Sequence, residues 1–225
     1  SSSSRGLGDV YKRQDRYYLK PKVSVNVFLF CFNEEVLLPY TINHYKKNLP
    51  NCKITIIDNM SNDSSKIIAK NHGCNIIKLF SGGQMNNKLK NYYANNIWKR
   101  VKKGWVIVAD MDEWLCVSEK DLMEEEKRGT TILKVKGINM IGDSKTSDLS
   151  DINLNDILLG VDNDHESKSM CFRVPKIKEM KFNHGQHECD PIGNIFYSKR
   201  TYINKHMEYL GLNWILNKRK NRLDR

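Results

Sequence analysis

Trp105-Val106-Ile107-Val108-Ala109-Asp110-Met111-Asp112-Glu113-Trp114 is the stretch whose reading decides the fold. An unbroken apolar run centred on the β-branched Val106, Ile107 and Val108 has the length and composition of one buried strand. It delivers two carboxylates separated by a single residue. In an extended chain residues i and i+2 point the same way, so Asp110 and Asp112 face one side and Met111 the other. Two convergent carboxylates at a strand end make a hard oxygen site for Mg²⁺ or Mn²⁺. Such ions are typically held by one or two carboxylates together with substrate phosphates.

Upstream, the same pattern repeats three times. Residues 23–32 are a β-branched and aromatic run of strand length, followed by helical spacing of Val36, Leu37, Tyr40 and His44 over 34–47, with Pro39 near the helix start. Residues 53–57 predict a second strand that ends at Asp58. A polar loop over 59–65 and a helix over 64–72 closed by Gly73 come next. A third strand over 75–80, a turn at Ser81-Gly82-Gly83 and a long helix over 84–103 ended by Gly104 lead into the fourth strand. Strands alternating with helices predict an α/β fold: an open, mainly parallel sheet flanked by helices, with right-handed crossovers. Ligands of such sheets bind beyond the carboxyl ends of the strands, and the polar residues there are Asn33, Asp58 and Asp110.

Downstream, the pattern changes to a smaller mixed C-terminal part. Ser118 caps a charged helix over 119–127, and 131–140 reads as a strand. A mobile polar loop is expected over 142–156, short strands over 170–174 and 177–182, and a closing helix over 206–216. The expected organisation is one domain over 15–225, with a first half at 23–115 and a second half at 116–225. Residues 1–14, opening with four serines and carrying no apolar period, resemble translated sequencing adapter and are set aside as a non-native leader. No initiating methionine is present, so the native N-terminus is expected further upstream.

The net charge of +11, or +9 once 1–16 are discounted, is compatible with acidic substrates, nucleic acid or anionic membrane surfaces. Basic residues concentrate at Lys218, Arg219, Lys220, Arg222 and Arg225, a place for peripheral contact with an anionic membrane. No apolar run approaches the roughly 20 residues of a membrane-spanning helix, and no signal peptide is visible. The six cysteines show no metal-ligand spacing and read as reduced thiols, which fits a cytoplasmic protein.

Three motifs together carry a resemblance. Phe32-Asn33-Glu34-Glu35, then Asp58-Asn59-Met60-Ser61-Asn62-Asp63-Ser64-Ser65, then Asp110-Met111-Asp112-Glu113-Trp114 resemble the family 2-type glycosyltransferases. More narrowly, they are similar to the bacterial and viral branch whose metal motif reads Asp-x-Asp-Glu followed by an aromatic. The order and spacing hold over roughly 23–225. The resemblance implies a GT-A fold, a nucleotide-sugar donor and Mn²⁺ or Mg²⁺, with 23–115 the nucleotide-sugar-binding half and 116–225 the acceptor-side half and closing helix. It assigns donor binding to Asn33, Glu35, Asp58 and Asp63, with Asn59 in the same loop, and metal–diphosphate binding to Asp110 and Asp112. Gly185-Gln186-His187 and Lys205-His206-Met207-Glu208-Tyr209-Leu210-Gly211 resemble the branch's late histidine motifs. His206 is thereby expected as a third metal contact, although the branch usually shows His-Tyr where this chain has His206-Met207. His187 is expected on the acceptor side. An imidazole hydrogen-bonded in the core is the competing reading for each.

An inverting displacement needs a carboxylate or imidazole against the acceptor hydroxyl. Glu113, His187, Glu188 and Asp190 are all candidates, and Glu113 is equally suited to orienting Asp112. The acceptor class (glycan, lipid-linked or protein) stays open, and no nucleic-acid partner is expected. Two rivals are a metal-dependent nuclease and a non-catalytic nucleotide- or glycan-binding module on the same fold. The first would carry a lysine directly beside the acid pair, and none stands between Asp112 and Lys120.

Overall fold

The computed structural model describes residues 23–81, 84, 86–142, 149 and 153–223. The leader, part of the Ser81-Gly82-Gly83 turn and most of the loop expected over 142–156 lie outside these residues.

The first half runs β1 (Val25–Cys31), α1 (Leu38–Asn48), β2 (Lys53–Asp58), α2 (Ser65–Asn71), β3 (Asn75–Lys78), α3 (Asn87–Asn96) and β4 (Gly104–Asp110). Its four strands are parallel, in the order β3-β2-β1-β4. Alternation along β1 builds the core on both faces of the sheet. Val25, Val27, Leu29 and Cys31 pack with Leu38, Ile42 and Tyr45 of α1, while Phe28 and Phe30 pack on the other face with Trp98, Val108 and Phe172. The register sets Cys31 opposite Asp58 and Phe30 opposite Asp110, so the polar strand ends come level at one edge.

The expected long helix over 84–103 is shorter and compound. Asn86 caps it by accepting a hydrogen bond from the Leu89 N–H (2.9 Å), and after Asn96 the chain tightens into a 3₁₀ turn, Ile97–Arg100, that buries Ile97 and Trp98. Gly104 belongs to β4 rather than to the helix end. Its φ is +101°, and a Cβ there would lie 2.3 Å from the Ser24 carbonyl oxygen, so only glycine lets the two strands begin this close together.

The second half runs β5 (Glu113–Cys116), α4 (Glu119–Lys127), β6 (Ile132–Ile141), β7 (Gly160–Asp162), β8 (Cys171–Val174), β9 (Ile177–Glu179), β10 (Ile192–Gly193), β11 (Tyr197–Tyr209) and α5 (Leu212–Leu223). Ser118 caps α4 in a reciprocal pair with Asp121. Its strands join the first four in one nine-stranded sheet, β3-β2-β1-β4-β8-β6-β11-β5, with β7 on β6, while β9 and β10 pair separately. β8 runs antiparallel to both β4 and β6, β11 parallel to β6, and β5 antiparallel to β11.

The closing helix lies further along than the sequence suggested. His206 is near the end of β11, and α5 begins at Leu212. The local period is two, with Tyr202 and Asn204 buried between more exposed neighbours, and pairing to both β6 and β5 holds the segment extended. Gly211, at φ +154°, precedes the helix. All six cysteines are unpaired. No helix among the described residues is long and apolar enough to cross a membrane.

Candidate functional site

A cleft of about 1010 Å³ opens over the carboxyl ends of β1 and β4. Its first wall consists of the loops after β1 and β2, which are stitched to each other. The Asn33 N–H donates to Ser61 Oγ (3.0 Å), and Asn33 Oδ1 accepts from the Asn62 N–H (2.9 Å). The Glu34 N–H donates to Ser65 Oγ (2.9 Å), and the Glu35 N–H to Asp63 Oδ2 (3.0 Å). Glu35 returns the bond by accepting from the Ser64 N–H (3.0 Å). The polar residues of both motifs therefore satisfy one another's backbone donors. Asn33, Glu35, Asn59 and Asp63 line the cleft. Asp58 does not: it is buried beneath the loop, where it accepts from the Ser61 N–H (3.2 Å).

The floor is the turn from β4 into β5. Asp110 and Asp112 both line the cleft, although the chain turns between them instead of continuing as a strand. Helix α1 pins this turn from below. Thr41 Oγ1 donates to the Met111 carbonyl (2.7 Å) and accepts from Trp114 Nε1 (2.8 Å), while the Tyr45 hydroxyl donates to the Glu113 carbonyl (2.9 Å). Asp110 pairs with Lys90 of α3 at 2.6 Å. Asp112 contacts Lys218 of α5 and lies 3.4 Å from His206 Nε2. Glu113 is buried below the floor, accepting from the Asp110 N–H (2.8 Å) and pairing with Lys168 at 2.6 Å.

The second half supplies the opposite wall. Asn139 of β6 fixes His206 through Nδ1 (2.8 Å), leaving Nε2 toward Asp112 and Glu208. Ligand atoms of Asp112, His206 and Glu208 all lie within 4.8 Å of one another, a nitrogen–oxygen set that suits Mn²⁺ or Mg²⁺. Asp110 stands outside this trio. A second group, His165, Glu166 and His187, is equally close-set. In each group a lysine already stands against a carboxylate, Lys168 at 3.3 Å from Glu166 and Lys218 against Asp112, so an ion in either would compete with an ammonium. His187 lines the cleft, its Nδ1 held by the His165 carbonyl (2.7 Å). Asp190 is exposed, 3.4 Å from Lys181, and away from the cleft.

Electrostatics follow from this packing. Burial works against ionising Asp112, but Lys218 and His206 hold its carboxyl well below the usual range. Asp110 also ends below its ordinary value, burial being outweighed by Lys90 and Lys168. Burial pushes Glu113 up despite Lys168. It would push His206 down, yet Asp112 overrides it and raises the imidazole to about 9. His187 is pushed down by burial and by Lys168.

No family model and no curated protein matches this sequence. Solved structures do. TarS of S. aureus superposes with a TM-score of 0.53 at 14% identity, over 82% of this chain and 36% of that one. Its 1–349 form in complex with UDP-GlcNAc gives 0.51 at 13% identity, over 85% and 60% of the two chains. The same form with UDP gives 0.51 at 14%, over 81% and 60%. The fold is GT-A. The match spans about a third of the first TarS chain and 60% of the 1–349 form.

Residues of the GT-A cleft that sequence reasoning missed are Lys90, Asn139, Glu166, Lys168, Glu208 and Lys218. Glu208 had a signal: it stands two residues from His206, so a strand puts both on one face, whereas a helix parts them. The lysines and Asn139 had none, since they reach the cleft only through tertiary packing.

Proposed function

We propose that this chain is a divalent-metal-dependent glycosyltransferase domain that moves a sugar from a nucleotide-diphosphate sugar to an acceptor, inverting the anomeric centre by direct displacement. The finer reading is a family 2-type enzyme of the branch with the Asp-x-Asp-Glu-aromatic motif. The observation that carries it is the Asp112–His206–Glu208 trio on the floor of the cleft, set at the strand ends of a GT-A sheet. TarS holds UDP-GlcNAc in its own structure, and a nucleotide of that kind is the natural probe here.

In this reading the stitched loops, through Asn33, Glu35, Asn59 and Asp63, form the nucleoside wall. Asp58 supports that wall from beneath. Asp112, His206 and Glu208 would hold Mn²⁺ or Mg²⁺, with Asp110 beside them, and the bound ion would neutralise charge on the departing diphosphate. Lys90 and Lys218 provide further positive charge at the same place, and Glu113 fixes the backbone of Asp110. His187 belongs to the acceptor side; Asp190, facing solvent away from the cleft, is a poor candidate base. The acceptor is a glycan, a lipid-linked sugar or a protein. Exposed Leu212 and Leu216 beside Arg219 and Lys220 on α5 support peripheral contact with an anionic membrane.

The test is a panel of nucleotide sugars with and without Mn²⁺, scored for donor hydrolysis and by calorimetry with UDP. Metal-dependent UDP binding and donor turnover are expected. Binding without turnover on any donor would favour the non-catalytic module, and absence of both would remove the reading.

A further inference from the structure

At the end of the sheet opposite the cleft lies a second groove, of about 440 Å³, within the size range of small-molecule sites. It sits where β1, β2 and β3 begin, whereas the cleft sits where β1 and β4 end. Strand β2 separates the two. Lys53 opens that strand and Asp58 closes it, five steps apart, or about 17 Å at the rise of a strand. The groove is therefore a separate site and not an arm of the cleft.

Register explains its floor. Asn26 of β1 stands opposite Lys53 of β2, and Thr55 of β2 opposite Asn75 of β3, so these four side chains share one face. Further along the same strands that face is apolar, with Phe28, Phe30 and Ile57 packed in one cluster with Trp98. The 3₁₀ turn Ile97–Arg100 covers the apolar part and leaves the polar part open, and residues 101–103 then run along its side. The Trp105 N–H donates to the Ser24 carbonyl (2.8 Å), which draws this link against the start of β1.

Four cations line the groove, Lys53, Arg100, Lys102 and Lys103, and no carboxylate stands among the lining residues. None of the four has an ion pair or a side-chain hydrogen bond among the described residues, although the adjacent Lys99 pairs with Glu179 at 2.6 Å. In the cleft, by contrast, Lys90, Lys168 and Lys218 each meet an acid. The uncharged lining is equally unengaged. Asn26, Thr55 and Asn75 make no side-chain hydrogen bond among the described residues, and Thr55 is only 8% exposed. Like charges gathered without acids repel one another and focus a positive field into the groove.

We infer that this groove is a second binding site, for a phosphate group bearing two or more negative charges, as in a diphosphate or a phosphate monoester. The Arg100 guanidinium matches two phosphate oxygens at once, and the lysines supply point charges. The amides of Asn26 and Asn75 and the Thr55 hydroxyl are donors for the remaining oxygens. A lining without carboxylates does not suit a divalent cation. Phe28, the one aromatic residue of the lining, is 7% exposed and offers no open ring for a base to stack on, which sets aside a nucleic-acid strand. The site does not depend on the glycosyl-transfer reading.

The experiment titrates inorganic pyrophosphate into the full chain in metal-free buffer by calorimetry, beside sulfate at matched ionic strength. Saturable binding of pyrophosphate is expected, weakened on the order of 10–100-fold in R100Q/K103Q, which removes two charge-assisted contacts. UDP–Mn²⁺ affinity should stay at the wild-type value in that variant. K53M, which alters the floor instead of the wall, should weaken pyrophosphate binding too and serves if the double variant is unstable. K90Q, which alters the cleft, should leave it unchanged. Co-sedimentation with phosphatidylglycerol vesicles distinguishes the sources of the phosphate. Vesicle binding lost in R100Q/K103Q and displaced by pyrophosphate makes a lipid headgroup the bearer; vesicle binding indifferent to both makes it a free phosphate ester. Equal binding of sulfate, no saturable binding, or a loss in K90Q but not in R100Q/K103Q overturns the assignment. A wild-type protein that holds pyrophosphate in this way but neither binds UDP–Mn²⁺ nor turns over a donor removes the transferase reading and leaves this site standing.

Discussion

Asp112 concentrates the charge problem of the site. It is buried, yet held ionised by an ammonium and an imidazole, an arrangement stable only while the partners remain. Asp112→Asn keeps the size and removes one charge. It is expected to fold, and to weaken Mn²⁺-dependent UDP binding on the order of 10–100-fold, as changes that disturb a metal site do. Calorimetry at fixed Mn²⁺ checks this, and unchanged affinity would move the metal elsewhere. Ser61→Ala tests the stitched loops. It leaves the Asn33 N–H without its acceptor in a residue already at φ +51°, at a cost of about 1–3 kcal/mol in urea unfolding. At this scale the sequence was legible where a motif is contiguous. Asp110 and Asp112 both lie in the cleft, though across a turn and not in the extended chain their spacing implied, whereas Asp58 lies under it because its loop turns back over the carboxylate to use it as a cap. Nothing local distinguishes those two outcomes.

Among the elements, α5 matters most to the site and was misplaced in the sequence. Residues 206–216 have a mixed period, and what decides for strand up to Tyr209 is pairing with β5 and β6, which no local window contains. The four parallel strands had no such ambiguity, because fully buried strands are written as apolar runs. From its true position α5 carries Lys218 onto Asp112 and Glu208, among the atoms proposed to hold the metal. An ammonium there competes with a divalent cation. Lys218→Met should therefore tighten binding of Mn²⁺ alone by about tenfold, equivalent to ~1.4 kcal/mol. It should also lower melting temperature in chelator and enlarge the stabilisation that Mn²⁺ confers. Equal Mn²⁺ affinity in wild type and variant would show that Lys218 and the ion do not share a position.

At the scale of the whole molecule, the two halves expected from sequence are interlocked within one sheet. β4 pairs on one side with β1 of the first half and on the other with β8 of the second. β5 follows β4 by only a two-residue turn, yet it leaves for the far edge of the sheet to pair with β11. A cut at the expected boundary after residue 115 would part most of β5 from β11, its partner strand among the described residues, and expose the flank of β4, leaving both fragments with unpaired strand edges. The cleft has the same character: the trio proposed to hold the metal takes Asp112 from one half and His206 and Glu208 from the other, so neither half carries the proposed site alone. Unfolding is therefore expected as a single transition. Trp98, Trp105 and Trp114 report through buried indoles on the region around β4 and β5 and Trp214 on α5, while far-ultraviolet circular dichroism weighs the strands and helices throughout. Fluorescence and dichroism curves in urea should share one midpoint, and UDP with Mn²⁺ should shift both together. Two separated midpoints, with the ligand moving only one, would show two cooperative units in place of the one domain expected over 15–225.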